Sequence, residues 1–430
     1  MRLAEPSPTA FSRPGLRAVP STASPLAVKL VAASVACLPV LIPQLPGNAA
    51  PDDFLLIAAV GALLVWAAST GSRIHVPYVM PMGVLLGSGA LAALLGHYPA
   101  RGALALGQDV LVLIWCGAVA TVGLTASNFR LIIKVWAVSA TLWSALLILA
   151  AAAALTGVAG MSTSGGRAAL TFGSPNTAAT YFSVSFMVLL ASPWPRRVIP
   201  LIVSSGLILG ALVLTGSIAG MGGLLVGGVV ATVVAIYRRR GPIHAVAGFV
   251  VLTFAGALLA FVAVQAHLVE QAQASSSPLI RNSVGRSERS SSTHSGQLKQ
   301  VFDLFWTNPP VGIGPASTKS MLEAQGAITV KEAHDDYTAT VVERGIFGAI
   351  GLALLIGAVV FRAAHMVRVP SPGTAGMIRS TAPLVGALVA VGFASLSHEV
   401  LHFRHVWVLF GLIAALTAWG REGTAAGGAT

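Results

Sequence analysis

About twelve stretches of roughly 18 or more residues with few charges run along this chain, and that pattern restricts it more than any other feature. They lie near 27–45, 54–70, 77–96, 104–126, 131–156, 175–193, 198–215, 219–237, 243–266, 344–363, 381–398 and 403–420. In hydrocarbon every backbone amide must find a partner within the protein, so such runs read as helices. The predicted fold class is all-α, a polytopic membrane protein. The composition agrees, with 55% hydrophobic residues, 9% charged residues and a mean hydropathy of +0.81, more apolar side chains than one water-soluble core of this length hides.

The formal net charge of +12 raises nucleic acid as a partner, but the basic residues fall singly or in small groups between apolar runs, with no basic, aromatic-interleaved face. Their placement is topogenic. Arg2, Arg13, Arg17, Lys29, Arg73, Arg130, Lys134, Arg196, Arg197, the run 238–240, Arg362, Arg368, Arg379 and Arg421 fall in alternate connections. The short connections on the opposite side hold Arg101, Arg167 and Arg404, a bias of roughly sixteen to three when the long polar loop is set aside. This predicts a multi-pass plasma-membrane protein with both termini cytoplasmic: a tail at 1–26, nine helices over 27–267, an extracytoplasmic loop at 268–343 between helices 9 and 10, three helices over 344–420, and a tail at 421–430. No small-residue cleavage site follows the first apolar run, which reads as a retained span. Cys37 and Cys116 both sit in apolar runs and read as small core residues.

The polar loop gathers chemistry on one side of the membrane: Arg281, Arg286, Arg289, His294, His334, Asp335, Asp336 and Glu343. Within it Val301, Phe302 and Phe305, with Leu298, recur at helical spacing, which predicts a short amphipathic helix on the bundle or the leaflet surface. A turn follows at Asn308-Pro309-Pro310, then a second short helix over roughly 316 to 325. The same side of the membrane carries Arg101, Arg167, Asn176, Ser217, His398, Glu399, His402 and Arg404. Guanidinium groups near a bilayer surface suit a lipid-linked phosphate, since Arg binds phosphoryl oxygens bidentately and stays charged. A neutral imidazole such as that of His334, oriented by a neighbouring carboxylate, suits proton transfer from a sugar hydroxyl.

The segments GSPN at 173–176, TGS at 215–217, NPPVGIG at 308–314 and HDDYTATVVERGIFG at 334–348 together resemble the O-antigen ligase and polymerase superfamily, bacterial polytopic membrane glycosyltransferases of GT-C type. The resemblance spans about 160 to 350. It implies transfer of a glycan from a polyprenyl-pyrophosphate donor to a hydroxyl on a glycan or glycolipid acceptor outside the membrane, in cell-surface polysaccharide synthesis. The implied reaction inverts the anomeric centre and needs neither metal nor cofactor. Residue by residue, the resemblance gives His334 the acceptor side and Arg167 a donor-pyrophosphate contact; Asp335 is the carboxylate expected to aid His334 in catalysis. Arg281, Arg286, Arg289 and His294 join Arg167, with Asn176, Ser217, Glu343 and Arg404 in support. Three positions depart from the family pattern: Asp335 where Asn is usual, Ile218 where an Arg often follows the Ser, and Arg344 in place of an apolar residue.

Two other readings stand beside this one. A transporter or flippase of lipid-linked saccharides would share the helices and the basic charge, but usually places polar residues near the bilayer midplane. His398-Glu399-Val400-Leu401-His402 matches H-E-x-x-H, which on a continuous helix binds zinc in metalloproteases. The match falls where one apolar run ends and the next begins, and neither the downstream Gly and His of one zincin variant nor an obvious third ligand follows.

Overall fold

The computed structural model describes residues 23–42, 49–155, 163–164, 167–282, 296, 299–307, 310–327, 330, 335–368 and 376–427. All twelve apolar windows hold a helix. These are α1 (Pro25–Cys37), α2 (Pro51–Thr70), α3 (Val79–Leu95), α4 (Pro99–Gly123), α5 (Ala126–Leu155), α6 (Pro175–Ala191), α7 (Val198–Thr215), α8 (Ile218–Arg240) and α9 (Pro242–Gln265), followed after the loop by α14 (Asp336–Arg368), α15 (Ala382–Ala394) and α16 (Arg404–Gly427). The loop contributes α10 (Leu268–Gln273), α11 (Pro278–Asn282), α12 over 299–307 and α13 (Thr318–Ala324). Among the described residues, seven helices are long and apolar enough to cross a membrane: α2, α4, α5, α7, α8, α9 and α14. The remaining apolar helices are shorter, so an all-α membrane protein is what length and composition establish.

Local signals explain several helix starts. Ser24, Ser174 and Ser217 cap α1, α6 and α8 with their hydroxyls, and Pro occupies the first turn of α1, α2, α4, α6 and α9. Packing between helices relies on small residues, because apolar side chains gain little by leaving lipid. Gly223 and Gly227 of α8 lie against the backbone of Gly386 and Ala390 on α15, so closely that a side chain at Gly227 would collide with the Gly386 carbonyl. Gly351 of α14 meets Leu85 of α3 in the same way, and Gly411 of α16 meets the Cys116 carbonyl of α4. Trp115, Trp136, Tyr181, Phe182 and Trp407 fill the centre. Cys116 is buried there, Cys37 is partly buried, and both are free thiols.

The loop folds back onto the bundle through a second small core. Val301 and Leu304 of α12, with Ile313 and Leu322, pack on Ala339 and Val342 of α14. The apolar stripe of α12 is therefore Val301, Leu304 and Phe305, while Phe302 remains 40% exposed. Helix α14 begins at Asp336, ahead of the boundary expected near 344. That boundary coincides instead with a break inside α14 at Gly345 (φ 66°, ψ −163°). A helix interrupted there leaves backbone groups without intrahelical partners, and the Pro310–Gly314 segment supplies them. Ile313 N donates to Val342 O, Gly314 N to Glu343 O and Ile346 N to Pro310 O, each at 3.0 Å. A Cβ at Gly345 would strike the Pro310 carbonyl, and Gly312 (φ 95°) is similarly confined against the Glu343 carbonyl.

Gly345→Ala should therefore destabilise the protein by about 2 to 3 kcal/mol, combining left-handed strain with the steric conflict. Gly61→Ala, where nothing lies within 4 Å of the added carbon, should be near neutral. Thermal unfolding of detergent-solubilised protein distinguishes the two.

Candidate functional site

Three residues singled out from the sequence converge from separate segments. A two-stranded antiparallel hairpin, β1 (Thr163–Ser164) with β2 (Arg167–Ala168), carries Arg167 to the ends of α6, α7 and α8. Its Nε donates to Thr215 O at 2.8 Å and its Nη2 to Asn176 Oδ1 at 2.9 Å, and the residue is only 6% exposed. Ser217 Oγ donates to the same Asn176 oxygen at 3.0 Å while capping α8. Gly173 (φ 71°) and Gly216 (φ 58°) permit the turns that bring these ends together. The result is an oriented guanidinium at a helix-terminal turn.

This cluster connects to the start of α14. Thr180, one turn beyond Asn176, bonds to Asn176 O at 3.1 Å and lies 3.0 Å from His398 Nε2. Two residues on, Val400 N and Leu401 N donate to the Asp336 carboxylate at 2.9 and 3.2 Å, and Asp336 N donates to Ser395 O. Asp335 caps α14: its Oδ1 accepts from Thr338 N at 2.6 Å and its carbonyl from Ala339 N. His334 itself, with Arg286, Arg289 and His294, lies outside the described residues. Arg281 is described, exposed, and donates to the Ser275 carbonyl at 3.2 Å.

Glu343 and Arg404 anchor structure. Glu343 accepts from Ala316 N (2.8 Å), Thr318 N (3.3 Å) and Thr318 Oγ1 (2.7 Å), holding the turn before α13 against α14. Arg404 forms a two-pronged bridge to Asp53 at 2.7 and 2.6 Å, and Asp53 Oδ2 also accepts from Ala50 N, so the N-termini of α2 and α16 are tied together. Arg101 bonds to Ser320 Oγ of α13 and lies over the Tyr98 ring.

Sequence reasoning passed over a second ionic group. Arg344, noted as a departure from the family pattern, pairs with Asp109 of α4 at 2.5 Å and donates to Leu85 O of α3 at 3.2 Å. Asp109 also faces His402 Nδ1 at 4.0 Å, and His402 Nε2 lies 3.3 Å from Glu399. These side chains, with Asp336 and Glu343, line a cavity of ≈ 40 Å³. The available signal was the pair of ionisable residues inside apolar windows, since such groups need partners. In the H-E-x-x-H stretch, residues 398–403 form a turn rather than a helix. His398 faces Thr180 and Ser397, while His402 faces Glu399 and Asp109, so the two imidazoles do not share the helical face a zincin requires. Among the described residues no three His, Cys, Asp or Glu side chains are grouped to hold a metal.

Removing one partner of the Asp109–Arg344 bridge leaves a buried charge alone. Asp109→Leu or Arg344→Leu should each cost about 3 to 5 kcal/mol, and the double substitution distinctly less than either single one, measured by thermal unfolding. His402 titrates in the connection between α15 and α16. Desolvation lowers its pKa, but the hydrogen bond and charge of Glu399, then Asp109 and Asp336, outweigh it and raise the value to about 9. A raised pKa stabilises the fold fully below the unfolded value and ceases to do so as pH climbs through the folded one. Stability should therefore fall between pH 7 and 9 in a component that His402→Gln lacks. The 45% exposure of the side chain keeps that component small.

A family model described as O-antigen ligase matches residues 203–353, from α7 through the first part of α14, and takes in Thr215, Ser217, the Pro310–Gly314 segment and Glu343. No curated protein matches the chain. The match covers the loop, α9 and the first part of α14, while Arg167 and the GSPN segment at 173–176 lie outside it. Over these residues the chain is similar to the O-antigen ligase family, which supports the resemblance read from the motifs.

Proposed function

We propose that this protein moves a glycan from a polyprenyl-pyrophosphate donor to a hydroxyl on a glycan or glycolipid acceptor, at the outer face of the plasma membrane. The observation that carries this reading is the bonded path from Arg167, through Asn176, Thr180, His398 and the 400–401 amides, to Asp336. It joins a fixed cation to the residues immediately following His334 at one end of the bundle. The charge bias of the connections assigns that end to the outside, with about twelve spans and both termini cytoplasmic.

In the reaction the acceptor hydroxyl oxygen attacks the anomeric carbon as the bond from that carbon to the pyrophosphate oxygen breaks. His334, aided by the neighbouring Asp335 carboxylate, takes the hydroxyl proton. The leaving pyrophosphate keeps the bond electrons, and Arg167 stabilises the charge that builds on it, assisted by Arg281, Arg286, Arg289 and His294 from the loop. A single displacement inverts the anomeric centre. Asn176 and Ser217 orient Arg167, Glu343 sets the loop on α14, and Arg404 fixes the neighbouring helix ends. These steps use side chains alone and route nothing through a metal.

Supplying the purified protein with a labelled polyprenyl-pyrophosphate oligosaccharide tests the reading. Longer lipid-linked chains indicate a polymerase and a new conjugate indicates a ligase, whereas translocation without bond change sinks the glycosyltransferase reading in favour of transport. Arg167→Ala and His334→Ala should each lower transfer by at least about ten- to hundred-fold, the scale of one lost charge-assisted contact in the transition state, with membrane insertion intact. Arg167→Lys should fail almost as badly, because an ammonium does not span both Thr215 O and Asn176 Oδ1.

A further inference from the structure

The first turn of α2 carries two buried carboxylates, and only one of them is matched. Asp53 receives the Arg404 guanidinium at 2.7 and 2.6 Å and the Ala50 amide at 2.7 Å. Asp52, 1% exposed, has no hydrogen-bond partner on either carboxylate oxygen among the described residues. Arg404 and Asp53 are the charged groups that act on it, and Asp52 acts in turn on the Cys37 thiol and the Tyr181 hydroxyl. Two carboxylates against one guanidinium leave a single negative charge in excess inside an apolar bundle. Such a charge is costly without a direct partner, and the α2 dipole, which favours an anion at this end, supplies no ligand to either oxygen.

Hydroxyls on two neighbouring helices share the condition of Asp52. Ser34 of α1 and Tyr181 of α6 are each 0% exposed, and neither oxygen has a partner among the described residues. Ser34 lies one turn before Cys37, on the buried side of α1. The Tyr181 hydroxyl is flanked by Ser139, whose own hydroxyl donates to Ala36 O at 2.6 Å, so it too reaches the last turn of α1. Its ring meets that of His405, the residue after Arg404, at 5.6 Å. A proton on Asp52 removes the excess charge but leaves both hydroxyl oxygens as they are. A hard monovalent cation answers all three, since it balances one charge and takes ligands from carboxylate and hydroxyl oxygen alike, whereas a divalent ion reverses the excess. We infer that the junction of α1, α2 and α6 binds one alkali-metal cation, held by the Asp52 carboxylate with the Ser34 and Tyr181 hydroxyls as neutral ligands. The Asp53–Arg404 bridge closes the site on the α16 side. The cation ties α6, which carries Asn176 in its first turn, to α1 and α2, and its binding makes no use of the proposed transfer reaction.

The full chain in nanodiscs is unfolded thermally at fixed ionic strength while choline chloride is exchanged for sodium or potassium chloride. The midpoint should rise with at least one alkali salt and then level off as the site fills. Asp52→Asn should abolish that response and melt above the wild type in choline chloride, because the excess charge is gone. Ser34→Ala and Tyr181→Phe should each raise the half-saturating concentration by about tenfold, the scale of one lost oxygen ligand, and they keep the test decisive where Asp52→Asn does not insert. Glu270→Gln, which removes a carboxylate that is 64% exposed, should respond as the wild type does. Equilibrium dialysis with the radiolabelled ion should find a single site per chain. A midpoint indifferent to both alkali salts, a response that survives in Asp52→Asn, or half-saturation unchanged in both hydroxyl variants overturns the site. So does a midpoint that ignores the salts yet climbs on acidification in the wild type and not in Asp52→Asn, since a proton is then the compensating charge.

Discussion

The break in α14 at Gly345 is the constraint on which the site's architecture depends. An apolar medium offers no water to a freed amide or carbonyl, so a helix can be interrupted there only where other protein groups complete its hydrogen bonds. The Pro310–Gly314 segment does this from outside, its two left-handed glycines letting backbone approach backbone. A long polar loop is thereby fastened to a membrane helix at a single register, and α12 and α13 acquire a small core of their own against α14.

Three consecutive residues at that break hold four different parts of the fold. Glu343 grips the turn before α13, Arg344 reaches α3 and α4, and Gly345 admits the 310–313 backbone. Their side chains and backbone point in divergent directions because the helix changes course among them. One short motif can therefore organise loop and bundle together, and Glu343 acts here through its bonds to Ala316 and Thr318. Asp336 does comparable work one helix end earlier, where its carboxylate accepts the amides of Val400 and Leu401 and shapes the stretch between α15 and α16.

The twelve apolar windows predicted helix positions well because hydrocarbon solvation acts on composition, residue by residue, and needs no knowledge of neighbours. Where the reading failed, tertiary contact had decided the outcome. The stripe on α12 shifted from Phe302 to Leu304 because the surface of α14 selects which side is covered. Helix α14 began ahead of the apolar run because Asp335 caps it and polar residues 336–343 find partners in the loop and in neighbouring helices. The H-E-x-x-H stretch, read as falling between two apolar runs, is indeed non-helical, and Asp336 accepts the amides of Val400 and Leu401 there.

For the site, the sequence by itself determined the inventory: which polar residues stand at the ends of apolar runs, and the order of motifs that resembles the O-antigen ligase family. It also supplied the charge bias from which sidedness is argued. Only the tertiary structure decided which of those residues meet. It brought Arg167, Asn176 and Ser217 onto one shared oxygen, committed Arg404 to Asp53, and paired Arg344 with Asp109, residues separated along the chain by whole helices. The physical reason is that burial favours any apolar run locally, whereas a hydrogen bond or ion pair requires two particular groups within about 3 Å, and that distance is fixed only once the helices have packed.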